Sequence, residues 1–121
     1  MARSGSHGQG GTWAAIGALL AGASVALAAY ASHGATGAAQ ERLELAAALA
    51  FGHGVALAAL APGTRGGLQR IAVVGWGLGV ALFCGSLVSA HFFATSTKAA
   101  PVGGMLLIAA WIAYALAVWR R

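Results

Sequence analysis

Four long apolar stretches fill most of this 121-residue chain and are separated by short polar segments. None of them contains Asp, Glu, Lys or Arg, and they cover residues 13–31, 45–61, 71–93 and 102–119. A helix that crosses a bilayer needs about 20 apolar residues to span a hydrocarbon core of roughly 30 Å. The pattern therefore predicts four transmembrane helices, at about 13–32, 43–61, 71–93 and 101–119.

The same pattern sets the fold class. Strands of membrane barrels alternate apolar and polar residues over about ten residues, whereas these runs are continuous. We expect an all-α integral membrane four-helix bundle that crosses up-down-up-down, formed by a single membrane domain at residues 13–121. Residues 1–12 are small, polar and Gly-rich, which is typical of a flexible tail. The first run ends in Ala29-Tyr30-Ala31, so a cleaved signal peptide is the alternative to a retained helix.

Basic residues predict the orientation of the bundle. With four spans, both termini and the middle joint share one side, which carries Arg3, Arg65, Arg70, Arg120 and Arg121. The opposite side carries two basic residues, Arg42 and Lys98. This difference places both termini in the cytoplasm by the positive-inside rule. Three tryptophans are expected to anchor the cytoplasmic interface: Trp13, Trp76 and Trp119.

Composition narrows the functional classes. Hydrophobic residues make up 60% of the chain and charged residues 7%, whereas a soluble domain carries about 25% charged residues. The net charge is +5, but the basic residues are dispersed at predicted helix ends, so no nucleic-acid partner is expected. Cys84 is the single cysteine, which leaves neither an intrachain disulfide nor a Cys-x-x-Cys motif.

Small residues recur at every fourth position of the predicted helices. The ladders are Ala46, Ala50, Gly54 and Ala58; Gly77, Ala81, Gly85 and Ser89; Gly75 and Gly79; and Ala109, Ala113 and Ala117. Such ladders let membrane helices approach closely. They predict a tight bundle, without deciding which ladders pack, and leave room for a homo-oligomer or a partner.

His53 is the most unusual residue inside the predicted spans. At 1.5 Å per residue it lies about 15 Å from the start of its helix, near the bilayer midplane. Ser24, Cys84, Ser86 and Trp111 fall at similar depth. One interpretation is a neutral imidazole hydrogen-bonded to Ser24 or Ser86, which holds the helices in register. The other is a proton, ion or ligand site, because ionisable residues at this depth often mark function.

Three further residues cluster near the opposite face of the predicted bundle: His33, Glu44 and His91. Two histidines and a carboxylate are a possible open metal site, but no diagnostic spacing such as His-Glu-x-x-His supports one, so no metal or cofactor is expected. His91 and His53 differ in depth, which disfavours a shared haem. A Ser86–His53 hydrolase pair lacks the Gly-x-Ser-x-Gly elbow.

Four short segments resemble, in order, motifs of one known family. They are Ala31-Ser32-His33-Gly34, His53-Gly54-Val55-Ala56-Leu57, Leu82-Phe83-Cys84-Gly85-Ser86-Leu87, and Pro101-Val102-Gly103-Gly104 with Trp111 seven residues later. The chain resembles the small four-helix membrane proteins called domain of unknown function 423, with which transmembrane protein 256 is grouped. The match covers roughly residues 13–119.

The resemblance implies a multi-pass protein of the bacterial plasma (inner) membrane with no established biochemical activity, and a first helix that is retained. It also indicates a set of candidate functional residues: His33, His53, Gly85, Ser86, Pro101, Gly103 and Gly104. The leading hypothesis is therefore a non-enzymatic structural or accessory protein in the lipid bilayer, associated with itself or with a larger membrane complex. The alternative is binding or transport of ions, protons or a metal around His53, with His33, Glu44 and His91 above it.

Overall fold

The protein is all-helical in the part of the chain that the structure describes. The structure is a computed structural model that describes the backbone of residues 4–121 and the side chains of residues 8–121. Its helices are α1 (Ser4–Gly34), α2 (Gly37–Leu60), α3 (Gly66–Phe93) and α4 (Ala99–Trp119), with a 3-10 turn at Ala61–Gly63. Within these residues, four helices are long and apolar enough to cross a membrane. The expected fold class is confirmed at this level.

The helices are longer than the apolar runs that predicted them. α1 begins at Ser4, so the segment expected to be a flexible tail is helical from Ser4 onward, and residues 1–3 lie outside the described residues. Packing explains the extension, because Gly10 is buried against the turn after α2: a Cβ on Gly10 would lie 3.1 Å from Ala61 O. α2 and α3 also begin before their apolar runs, at Gly37 and Gly66.

The joints between the helices depend on a few backbone conformations. Gly37 and Gly66, the first residues of α2 and α3, have φ of +61° and +76°, which glycine adopts without steric cost. Ala94 ends α3 with φ of 56°, in the left-handed region where helices commonly place glycine. Pro101 is the third residue of α4, within the first turn, where its missing N–H removes no intrahelical hydrogen bond.

α1 packs against α2 through two glycines. A Cβ on Gly17 would lie 2.5 Å from Gly54 O, and a Cβ on Gly54 would lie 2.6 Å from Gly17 O. The backbone of each helix therefore occupies the space that a side chain on the facing glycine would need. The contact is the close approach that small residues allow between apolar helices.

α3 packs against α4 in the same way, at different positions. A Cβ on Gly103 would lie 2.5 Å from Phe83 N and 2.8 Å from Gly79 O, and one on Gly75 would lie 2.8 Å from the Ala110 Cβ. The ladder of Gly75 and Gly79 is thus the one that faces α4.

The two helix pairs meet along α2 and α3. The Cys84 thiol donates to Ala46 O across 3.2 Å, which links the two helices directly. Three large side chains are fully buried: Trp76, Leu43 and Leu57. The core of the protein therefore lies at this seam, where the pairs face each other.

Candidate functional site

His53 is buried in α2, and both of its ring nitrogens are hydrogen-bonded within the protein. Nδ1 donates to Leu49 O, one turn earlier on the same helix, at 2.7 Å. Nε2 accepts the indole N–H of Trp111 on α4 at 3.0 Å. A neutral imidazole with its proton on Nδ1 satisfies both bonds at once. A second proton on Nε2 would face the indole N–H and break the bond to Trp111.

Trp111 connects His53 to an aromatic cluster that spans α3 and α4. Its ring centroid lies 4.3 Å from that of Trp76, which in turn lies 4.9 Å from Tyr114. Trp76 is fully buried, and its indole N–H has no hydrogen-bond partner among the described residues. The expectation that Trp76 anchors an interface is wrong, since it is a core residue. Trp119, by contrast, is 82% exposed.

Neither serine proposed as a partner for His53 is hydrogen-bonded to it. Ser24 is buried in α1 and donates to Ala21 O at 2.6 Å. Ser86 is buried in α3 and its hydroxyl reaches Ser96 O at 3.5 Å. Both hydroxyls therefore bond to nearby carbonyls, and neither Ser24 nor Ser86 forms with His53 the hydrogen-bonded pair that nucleophilic catalysis needs.

The three residues expected near the opposite face do not converge on one point. His91 Nε2 lies 3.0 Å from the Tyr30 hydroxyl, and the two rings pack edge to face. Glu44 is exposed and accepts a hydrogen bond from Gln40 Nε2 at 3.3 Å, and His33 is exposed at the end of α1. Among the described residues, no group of three or more His, Cys, Asp or Glu side chains is placed to hold a metal ion.

The remaining candidates lie at packing positions. Gly103 is buried against α3, whereas Gly104 is less tightly packed, since a Cβ there would first meet Phe83 at 3.6 Å. Pro101 and Gly85 are exposed, and a Cβ on Gly85 would meet nothing within 4 Å. Of these four residues, Gly103 alone holds two helices close together.

The basic end of the molecule contains a polar contact that the sequence did not indicate. Gln69 is buried at the start of α3, and its Oε1 accepts the backbone N–H of Arg65 at 3.1 Å and the guanidinium of Arg121. This ties the beginning of α3 to the end of α4. No sequence signal distinguishes Gln69 from an ordinary residue of a polar joint.

The chain was also compared with family models, with curated proteins and with solved structures, and none of the three comparisons found a match.

Proposed function

We propose that the protein is a small multi-pass component of the bacterial inner membrane, non-enzymatic, which associates with itself or with a larger membrane assembly. The observation that carries the proposal is the state of His53. It is buried within α2, and its two nitrogens are hydrogen-bonded to Leu49 and Trp111. A side chain so bonded holds α2 and α4 together and has no nitrogen left for a ligand.

The rival proposal, an ion, proton or metal site around His53, has less support. It requires a polar path from His53 towards His33, Glu44 and His91. Instead, His91 is bonded to Tyr30, while His33 and Glu44 are exposed. A transported proton would also have to displace the indole N–H at Nε2.

The proposed crossing is up-down-up-down, with both termini in the cytoplasm. The contacts of Gly10 with the turn after α2, and of Arg121 with Gln69, support antiparallel neighbours, since each joins the start of one helix to the end of another. The excess of arginine at the end that contains Arg121 supports the orientation. A reporter fused after Arg121 should report the cytoplasm; an extracytoplasmic signal would refute this orientation.

Membership of the domain of unknown function 423 family remains part of the proposal. Two of the segments that carry the resemblance contribute contacts between helices: the hydrogen bond of His53 with Trp111, and the close approach of Gly103 to Gly79. Those segments would thus be needed for packing, which supports the structural function proposed for this chain.

A flux assay separates the structural function from the transport function. The purified protein is placed in vesicles that enclose a pH-sensitive dye, and a pH step is applied. We expect the wild type, His53→Leu and protein-free vesicles to equilibrate at the same rate. Faster equilibration by the wild type that His53→Leu abolishes, while the variant keeps its helical circular dichroism, would refute the structural function.

The accessory function needs a second measurement. The protein is isolated from its native membranes in a mild detergent, and the complex is analysed by native mass spectrometry. We expect the chain in a defined oligomer or in fixed stoichiometry with another membrane protein. A chain recovered only as a monomer, with no protein in fixed ratio, would contradict the proposal.

A further inference from the structure

α1 and α3 are bridged by an aromatic side chain at each of two levels. Near the basic end, the Trp13 ring lies against Gly77, in the space that a Cβ would occupy. Near the other end, the Tyr30 hydroxyl lies 3.0 Å from His91 Nε2. Between these two bridges lies a space lined by α1 and α3, with Ala50 and Leu57 of α2 also in its lining.

This space, the α1–α3 groove, is apolar and has the size of a ligand site. Its volume is about 560 Å³, within the range of about 300–1,000 Å³ that is usual for small-molecule sites. Ser24 and Cys84 line it, but they donate their hydrogens to Ala21 O and Ala46 O. A ligand in the groove would therefore contact mostly aliphatic carbon and would find almost no hydrogen-bonding partner.

A basic recess adjoins the groove at one end. It is lined by Gln9, Thr64 and Arg70, and also by Trp13, whose ring lies against Gly77 of the groove lining. Arg70 is exposed and lies at the end expected to be cytoplasmic, where the leaflet carries anionic lipids. Tryptophan is enriched at the depth of the lipid headgroups, where polar and apolar surroundings meet, and Trp13 has such surroundings here.

The shape of the groove distinguishes between two kinds of apolar occupant. A helix of a partner protein is a rigid rod about 10–12 Å wide. It cannot lie along a groove whose two ends are bridged by Trp13 and Tyr30. A flexible hydrocarbon chain can bend past Trp13 and fill the space between the bridges.

We propose that the α1–α3 groove binds one acyl chain of an anionic glycerophospholipid, whose phosphate lies at Arg70. The charge at one end, the apolar lining and the closed ends together match this amphiphile. The inference presupposes membrane insertion, as the proposed function does. A chain that spans the bilayer but retains no lipid would refute this inference and leave the proposed function intact.

Native mass spectrometry of the intact protein in detergent tests the headgroup. The probes are phosphatidylglycerol and phosphatidylcholine, added at equal concentration. We expect one phosphatidylglycerol to be retained in preference to phosphatidylcholine, and Arg70→Gln to lower that preference about fivefold. Arg120→Gln, which removes a charge from the same end but outside the recess, should keep it. Equal retention of both lipids by the wild type would overturn the proposal.

A second pair of variants tests the groove. Gly85 lines the groove and a Cβ there meets nothing within 4 Å, so Gly85→Leu places its side chain at the groove with no clash at the Cβ. We expect this variant to lose the retained lipid. Gly52→Leu, on the exposed side of α2 with equal free space, should retain it. If Gly85→Leu loses its helical circular dichroism, Ala81→Leu replaces it. Undiminished retention by a folded groove variant, or a second copy of the chain in place of the lipid, would overturn the proposal.

Discussion

The contact between α1 and α2 makes a sharp prediction for one substitution, Gly54→Ala. A Cβ on Gly54 would lie 2.6 Å from Gly17 O and 2.8 Å from Ala21 N. Both atoms belong to the backbone of α1 and have no rotamer by which to move away. The helices must therefore separate along the contact, and the packing around it is lost.

Two opposing effects determine the magnitude. Replacing glycine by alanine inside a helix stabilises it by about 1 kcal/mol, whereas forcing an extra carbon into a packed interface costs about 1–3 kcal/mol. Because the obstructing atoms of Gly17 and Ala21 are backbone, the upper part of this range applies. Gly54→Ala should thus lower the free energy of unfolding by about 2 kcal/mol.

Gly52 provides the matched control on the same helix. It is exposed, and a Cβ there would meet nothing within 4 Å, so Gly52→Ala should raise the free energy of unfolding by up to about 1 kcal/mol. Both variants are unfolded by titration from mild detergent into dodecyl sulfate and followed by circular dichroism. If Gly54→Ala proves as stable as Gly52→Ala, the close approach of α1 and α2 is refuted.

Three further predictions concern other contacts. Gly103→Ala should destabilise the protein because its Cβ would meet the backbone of α3, whereas Gly104→Ala should be tolerated. Equal stability of the two variants in the same titration would contradict the close approach of α3 and α4. A double-mutant cycle with His53→Ala and Trp111→Phe should give a coupling of about 1 kcal/mol; additive losses would rule out the hydrogen bond as a stabilising contact. Ala94→Gly should stabilise the protein by about 1 kcal/mol, because φ there is 56°, and an unchanged midpoint would contradict that backbone conformation.

The apolar runs predicted the number of helices and their approximate places, because hydrophobic length alone decides whether a segment can span a bilayer. They did not predict where the helices begin. The residues just before Trp13 and Leu43 are too polar to belong to an apolar run, so they were not predicted to be helical, yet they are part of α1 and α2. The start of α1 is Gly-rich and has low helix propensity, so its extension depends on the packing of Gly10 against Ala61. The start of α2 contains the good helix formers Ala38, Ala39 and Gln40. Hydropathy registers neither effect.

The partner of His53 shows a different limit of sequence reasoning. The estimated depth in the bilayer was similar for His53 and Trp111, but it was also similar for Ser24 and Ser86. A hydrogen bond also depends on the rotation of each helix about its axis, which periodicity did not fix because small apolar residues surround these helices on all faces. For the same reason Trp76, expected at an interface, is buried in the core.

The pairing of helices bears on how the chain is made. α2 is the least apolar of the four helices, yet the helix it packs against most extensively, α1, precedes it in synthesis. In the proposed membrane topology, an emerging α2 therefore finds α1 already present and can pack against it at Gly17. Because α1 packs mainly on α2 and α3 mainly on α4, the proposed topology lets each pair acquire its internal contacts without waiting for the other.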